Sequence, residues 1–215
     1  GHSFSGANGD KTEPEHGNTA DYWVIKTDSV GNKIWDRTLW GNMSERLSVV
    51  MQSGDGGYIV GGSSFSDSSG DKSYHSWGNN SYDYWILKLD ANGNKLWDHA
   101  YGGTNDDELY TIQCTTDGGY ILGGYSHSDS SGDKSQNSWH TPAGNPSADY
   151  WIIKIDSSGN KLWDKIYGGT GGDRMKHIQQ TSDGGYILGG FSTSDLSGDK
   201  TESSYDSSLL VNYRG

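Results

Sequence analysis

The sequence has little of what most folded chains are built from. Only 31% of its 215 residues are hydrophobic, against roughly 45–50% apolar, glycine included, in a typical soluble domain. No stretch approaches the ~18 apolar residues that read as a membrane-spanning helix, and no charged-then-apolar leader opens the sequence. The single cysteine, Cys114, excludes an intrachain disulfide and says little about compartment. Positive charge is scarce as well: 16 Lys and Arg stand against 28 Asp and Glu, a formal net charge of −12. So acidic a surface repels phosphate backbones and anionic lipid, which argues against nucleic acid and membrane as partners and suits cations.

Taken alone, this composition would fit disorder. The aromatics argue otherwise. Nine Trp, fourteen Tyr and three Phe make up 12% of the chain, and each such ring buries roughly 150–250 Å² when packed. The core is made of rings, and the 33 glycines punctuate it.

Internal repetition dominates the rest. DYWVIKTDSVGNKIWD (Asp21 to Asp36) returns as DYWILKLDANGNKLWD (Asp83 to Asp98) and DYWIIKIDSSGNKLWD (Asp149 to Asp164). Each copy is followed by a DGGYI(V/L)GG block and then by SDSSGDKS, SDSSGDKS or SDLSGDKT. The repeats run over 21–82, 83–148 and 149–205. Within a copy the aspartates keep spacings of 15, 19 and 16 residues without an insertion. All length variation lies between GDK and the next DYW: 11 residues from Asp10 to Asp21, 12 from Asp71 to Asp83 and 16 from Asp133 to Asp149. A rigid module carries one variable loop.

Four strands are predicted per module. Trp151, Ile153 and Ile155 alternate with Tyr150, Ile152 and Lys154, a period of two. The Asp156–Asn160 turn supplies Gly and Asn for a tight hairpin. A second strand follows over Lys161 to Tyr167, a third from about Arg174 to Thr181, and a fourth over Tyr186 to Phe191. No segment sustains a 3.6-residue period, so almost no helix is expected. A repeated four-stranded antiparallel unit is the signature of an all-β β-propeller; the coils of a β-solenoid, the runner-up, are too short for periods of 62 and 66 residues. Gly-Gly pairs inside strands suit sheets that pack closely near an axis. The start of the chain aligns with the middle of a blade, and after Asp206 the pattern departs from DYW. About 3.5 blades are therefore expected, with incomplete ones at both ends, in a single domain or fragment over 1–215. The exposed strand edges would be an aggregation liability if the ring were left open. The rest of a longer propeller, or a second copy, would then complete the ring.

The run DGGYILGG…DYWIIKIDSSGNKLWDKIYGG resembles repeats of large secreted or cell-surface β-propeller proteins of bacteria, especially Bacteroidetes-type cargo of type IX secretion. Asp156, Gly159, Lys161 and Trp163 are also similar in outline to quinoprotein-like repeats. The resemblance implies a propeller fold and an extracellular address but no single activity, because propellers host enzymes, lectins and scaffolds alike.

Two sets of residues are candidates for chemistry. The S-D-x-S-G-D-K loops place Asp67, Ser69 and Asp71, then Asp129, Ser131 and Asp133, then Asp195, Ser197 and Asp199 as alternating oxygen donors for Ca²⁺, which takes 6–8 oxygens at about 2.3–2.6 Å. Their plainer reading is an Asx-turn capping backbone N–H groups. The variable loops carry His16, then Tyr74, His75 and Trp77, then Trp139, His140 and Asn145, aromatic and amide groups of the kind that bind a glycan or a surface protein. Their plainer reading is that Trp77 and Trp139 cover the neighbouring blade. Trp23, Trp85 and Trp151, with Trp35, Trp97 and Trp163, are expected in the core, and Lys26, Lys88 and Lys154 are expected to pair with recurring aspartates. Asp106-Asp107-Glu108 reads as an acidic turn and Cys114 as a buried thiol. No Ser-His-Asp set recurs, so the expectation is a non-catalytic binding or adhesion module, or else a structural repeat that spaces a larger surface protein.

Overall fold

The period-two segments become strands almost residue for residue. The computed structural model describes residues 2–14, 16, 18–78, 80–140 and 146–204, and among these it is all-β. The first sheet holds β1 (His2–Ser3), β2 (Asp21–Thr27) and β3 (Lys33–Leu39). The second holds β4 (Glu45–Gln52), β5 (Tyr58–Ser64), β6 (Asp83–Leu89) and β7 (Lys95–Tyr101), and the third β8 (Asp107–Cys114), β9 (Tyr120–Ser126), β10 (Asp149–Ile155) and β11 (Lys161–Tyr167). The fourth holds β12 (Asp173–Gln180) and β13 (Tyr186–Ser192). Every ladder is antiparallel, and strands follow one another across each sheet in chain order. The sheets are propeller-like blades: two are complete, the first has three strands, and the fourth has two among the described residues. The sequence segment around Asp206 lies outside the described residues.

First strands of successive blades sit side by side, β8 touching both β4 and β12, so they form the inner wall. The Gly-Gly pairs of β5 and β9 make this approach possible. A Cβ on Gly61 would lie 2.6 Å from Ile112 Cδ1 and 2.9 Å from Leu109 Cδ2 of the next blade. One on Gly62 would overlap the Arg46 carbonyl oxygen and lie 2.9 Å from Leu47 Cα, at the bulge of β4. Backbone cannot yield as a flexible side chain can. Gly62→Ala should therefore destabilise the chain by about 1–3 kcal/mol through overpacking, whereas Gly54→Ala, with nothing within 4 Å, should be near neutral; urea denaturation of both variants checks this.

Apolar clusters fill the three blade junctions. Tyr22, Val24 and Leu39 meet Val60, Trp85 and Leu87; Ile59, Tyr84 and Ile86 meet Leu109, Ile112 and Trp151; Ile121 and Ile152 meet Met175 and Ile178. A tyrosine hydroxyl crosses each of the first two junctions, Tyr22 donating to the Trp85 carbonyl at 3.2 Å and Tyr84 to that of Trp151 at 3.1 Å. Trp85 and Trp151 are wholly buried, as expected, while Trp23 in the three-stranded sheet is half-buried. Trp35, Trp97 and Trp163 depart from the expected core position. They are half-buried and meet Tyr58, Tyr120 and Tyr186 of the next blade edge-on, so they seal the outer part of each junction.

Two of the three expected lysine pairs form: Lys88 Nζ lies 2.6 Å from Asp55 and Lys154 Nζ 3.0 Å from Asp117. Lys26 instead lies 5.9 Å from the Tyr58 ring centroid. Asp55 and Asp117 are turn residues, accepting from the N–H groups of Gly57 and Gly119.

Candidate functional site

Each variable loop leaves its blade from a buried carboxylate that the spacing pattern alone does not single out. Asp98 of the second LWD segment accepts from Trp85 Nε1 at 3.1 Å, from Ser73 N at 2.8 Å and from Lys95 Nζ at 3.1 Å. Asp36 and Asp164 do the same with Trp23, Thr12 and Lys33, and with Trp151, Ser135 and Lys161. Burial pushes the Asp98 carboxyl up, but the hydrogen bonds from Ser73, Trp85 and Lys95 outweigh it and hold the group below the usual carboxylate range. The loop then returns at the DYW aspartate: Trp77 N donates to Asp83 at 2.9 Å and Trp139 N to Asp149 at 2.6 Å. In between, Glu13 accepts from Thr38 N and Gln136 from Ile166 N, so loop side chains satisfy N–H groups of the outermost strands.

The S-D-x-S-G-D-K segments are turns that clasp the connection ahead of each inner strand. Asp71 N donates to Trp40 O at 2.9 Å and its carboxylate accepts from Trp40 N; Asp133 and Asp199 make the same exchange with Gly102 and Gly168. Ser69, Ser131 and Ser197 accept from the N–H groups of Asn42, Thr104 and Thr170. Gly70, Gly132 and Gly198 turn through φ of +55, +57 and +60°, which only glycine adopts at no cost. Asp67 and Asp129 are bound by His75 at 2.8 Å and His140 at 2.9 Å, and Asp195 accepts from Ser204 N. With these oxygens committed, no group of three or more His, Cys, Asp or Glu side chains among the described residues converges as a metal site. The Asx-turn reading accounts for the contacts that these residues make.

The variable loop of the second blade opens onto a cleft of about 700 Å³ between the second and third blades. Tyr74, His75 and Trp77 form one wall, His99 and Tyr101 of β7 the floor, and Asp133, Asn160 and Lys161 of the third blade the other wall. Tyr74 stacks on His99 at 4.8 Å between centroids, and His99 on Tyr101. Trp77 is 54% exposed although its Nε1 donates to Asp133 at 2.7 Å, with its ring against Gly132. Burial moves the Asp133 carboxyl up, against the bond from Trp77. A ladder of aromatic faces thus stands beside a carboxylate, an amide and an ammonium.

The equivalent cleft one blade earlier is smaller, about 400 Å³, and is walled by Glu13, His16, Arg37, Asp71, Asn94 and Lys95. There His16 stacks on Trp40 at 3.8 Å. Trp139 lies against Gly198 of the next blade, as Trp77 lies against Gly132. Of the expected ligand residues, the structure brings Tyr74, His75 and Trp77 into one cleft and places His16 in the smaller one. Trp139 and His140 belong to a later loop, and Asn145 lies outside the described residues. His99, Tyr101, Asn160 and Lys161 escaped the sequence reading because they come from strands and a hairpin, not from the variable loop.

Two minor expectations change. Asp107 and Glu108 are not an exposed turn: they open β8, and Asp107 is wholly buried. Cys114 is half-buried at the end of that strand, its thiol moved up by desolvation. Compared with known proteins, the chain matches no family model and no curated protein.

Proposed function

We propose that the chain is a non-catalytic binding module that recognises a glycan in the cleft between its second and third blades. The single observation carrying this reading is the pairing of exposed aromatic faces, Tyr74 and Trp77, with Asp133, Asn160 and Lys161 across the same opening. A sugar ring offers an apolar C–H face for stacking and hydroxyls for hydrogen bonds, so it needs both kinds of group side by side. The sequence's likeness to secreted bacterial propeller repeats supports an extracellular setting, where surface glycans are the ligands to hand. Adhesion through this cleft is the form of the function that follows.

A specific observation favours a second reading. The Trp77 and Trp139 indoles lie against Gly132 and Gly198 of the following blade, as braces in a spacer of a larger surface protein would. Trp77→Ala separates the two. On a glycan array and by quenching of tryptophan emission, the wild-type chain should bind at least one oligosaccharide. The variant should lose at least tenfold in affinity, with its melting temperature within about 2 °C of wild type, since an exposed ring carries little folding energy. No binding to any glycan, with a melting temperature several degrees lower for Trp77→Ala, would overturn the glycan reading in favour of the spacer.

A further inference from the structure

Among the described residues, the two end sheets hold complementary strands of a blade. The fourth contributes a first and a second strand, β12 and β13, and the first contributes a third and a fourth, β2 and β3, with the two-residue β1 standing where the end of a second strand would lie. Among the described residues β13 has a ladder partner on one side only, and β2 is paired by β1 at Asp21 and Tyr22 alone.

Side chains on the outward faces at these two ends are exposed where their equivalents are buried. Ile187 is 61% exposed, whereas Ile59 and Ile121 at the same position are wholly buried against the next blade. Val50, on the inner strand of the second blade, is 48% exposed, whereas Ile112 and Ile178 are 6% and 5% exposed. The first group lies on the open face of the last blade and the second on the face beside the incomplete first blade. Inside the chain these are the two sides of one interface: Ile59 packs with Leu109 and Ile112. Tyr167 is likewise exposed, while its equivalent Tyr101 is buried and donates to the Gly159 carbonyl of the next blade.

We infer that two copies of this chain join head to tail into one closed six-bladed ring, β12–β13 of each copy completing a blade with β2–β3 of the other. The internal ladders set the register. Tyr58 faces Leu89 and Ser64 faces Asp83 between β5 and β6, so Tyr186 faces Thr27 and Ser192 faces Asp21 of the second copy, β13 taking over the two positions that β1 holds. Ile187 then packs against Leu47 and Val50 of the second copy, and Tyr150 donates to its Trp23 carbonyl as Tyr84 does to Trp151. Blade count selects the number of copies. One chain closing on itself would form three blades, below the roughly 4–8 of known rings, and two form six. A head-to-tail contact that closes gives a finite ring instead of a fibre.

Light scattering of the 215-residue chain over a range of concentrations tests this. The expected mass is twice the 23.4 kDa of one chain. Ile187→Lys and Val50→Glu should each run at 23.4 kDa with the β-sheet circular dichroism of wild type. The double variant, which sets a new ammonium against a new carboxylate at both junctions, should return to the doubled mass and lose it in high salt. A wild-type chain of single mass, a mass that climbs beyond two copies, or single variants that still pair would overturn the ring.

Discussion

Trp151→Ala should cost about 3–5 kcal/mol, the loss expected for a large ring removed from a packed interior. Trp151 is wholly buried in the cluster between the second and third blades. The substitution removes more than volume. Its Nε1 is one of the groups that hold Asp164 ionised in a buried place, and Asp164 fixes the start of the third variable loop through Ser135 N. The same change at Trp163, half-buried at the rim of its junction, should cost less than half as much, and at exposed Trp77 least of all. Urea denaturation followed by circular dichroism gives all three. Equal losses at Trp151 and Trp77 would mean that the junction is not the core of the molecule.

Stability should be several kcal/mol lower at pH 8 than at pH 5, because several carboxyls are buried in the blade junctions. Every blade junction holds an acid from DYW and another from the start of the next inner strand. Burial pushes Glu45, Asp107 and Asp149 up to about 7, and the neighbouring carboxylates of Asp21, Asp83 and Asp173 add to the rise. Burial likewise raises Asp83 to about 6. Between roughly pH 4.5 and 7 the folded chain keeps protons that the unfolded chain has released, so stability falls as pH rises through that window. A single carboxyl moved by about two units contributes about 3 kcal/mol at full effect. The opposite set, lowered by hydrogen bonds, includes Asp117 at about 2, held by Thr115 and Lys154, and Asp98 and Asp164. Their contribution is present above pH 4 and lost below it, so the optimum lies near pH 5. Melting temperatures from pH 3 to 9 trace this curve, and Asp107→Asn, which keeps the shape without the proton, should flatten its alkaline side. A melting temperature that rises from pH 5 to pH 8 would show these acids ionised in the folded chain.

The blade could be read from the sequence because its determinants are local and recur three times. Lys161–Tyr167 was predicted and found with the same limits, and β12 begins one residue before the expected Arg174 and ends at Gln180. Alternation and turn residues are enough for that. Depth was harder to read. Asp36, Asp98 and Asp164 recur visibly, yet recurrence does not tell a solvated turn from a carboxylate under a tryptophan. Glu45, Asp107 and Asp173 each stand 24 residues after the DYW aspartate, a spacing that could have marked them as structural, but the change from Glu to Asp and the adjacent Asp106 disguised it. The cleft was legible by half. Tyr74, His75 and Trp77 announce themselves as loop aromatics, while the opposite wall comes from a hairpin of the next blade, and a contact between blades leaves no local pattern.

The tyrosine hydroxyl that reaches the following blade's tryptophan carbonyl has a consequence for how such a chain can change over generations. The second blade carries one donor for its successor and one acceptor for its predecessor, and both lie in the invariant part of the period. Duplicating or deleting a whole period at the level of the gene therefore yields neighbours that already fit, with no compensating substitutions required. Divergence is left to the stretch between GDK and DYW, which holds 9, 10 or 14 residues. Copy number and loop sequence can then drift independently, one by recombination and the other by point change and insertion.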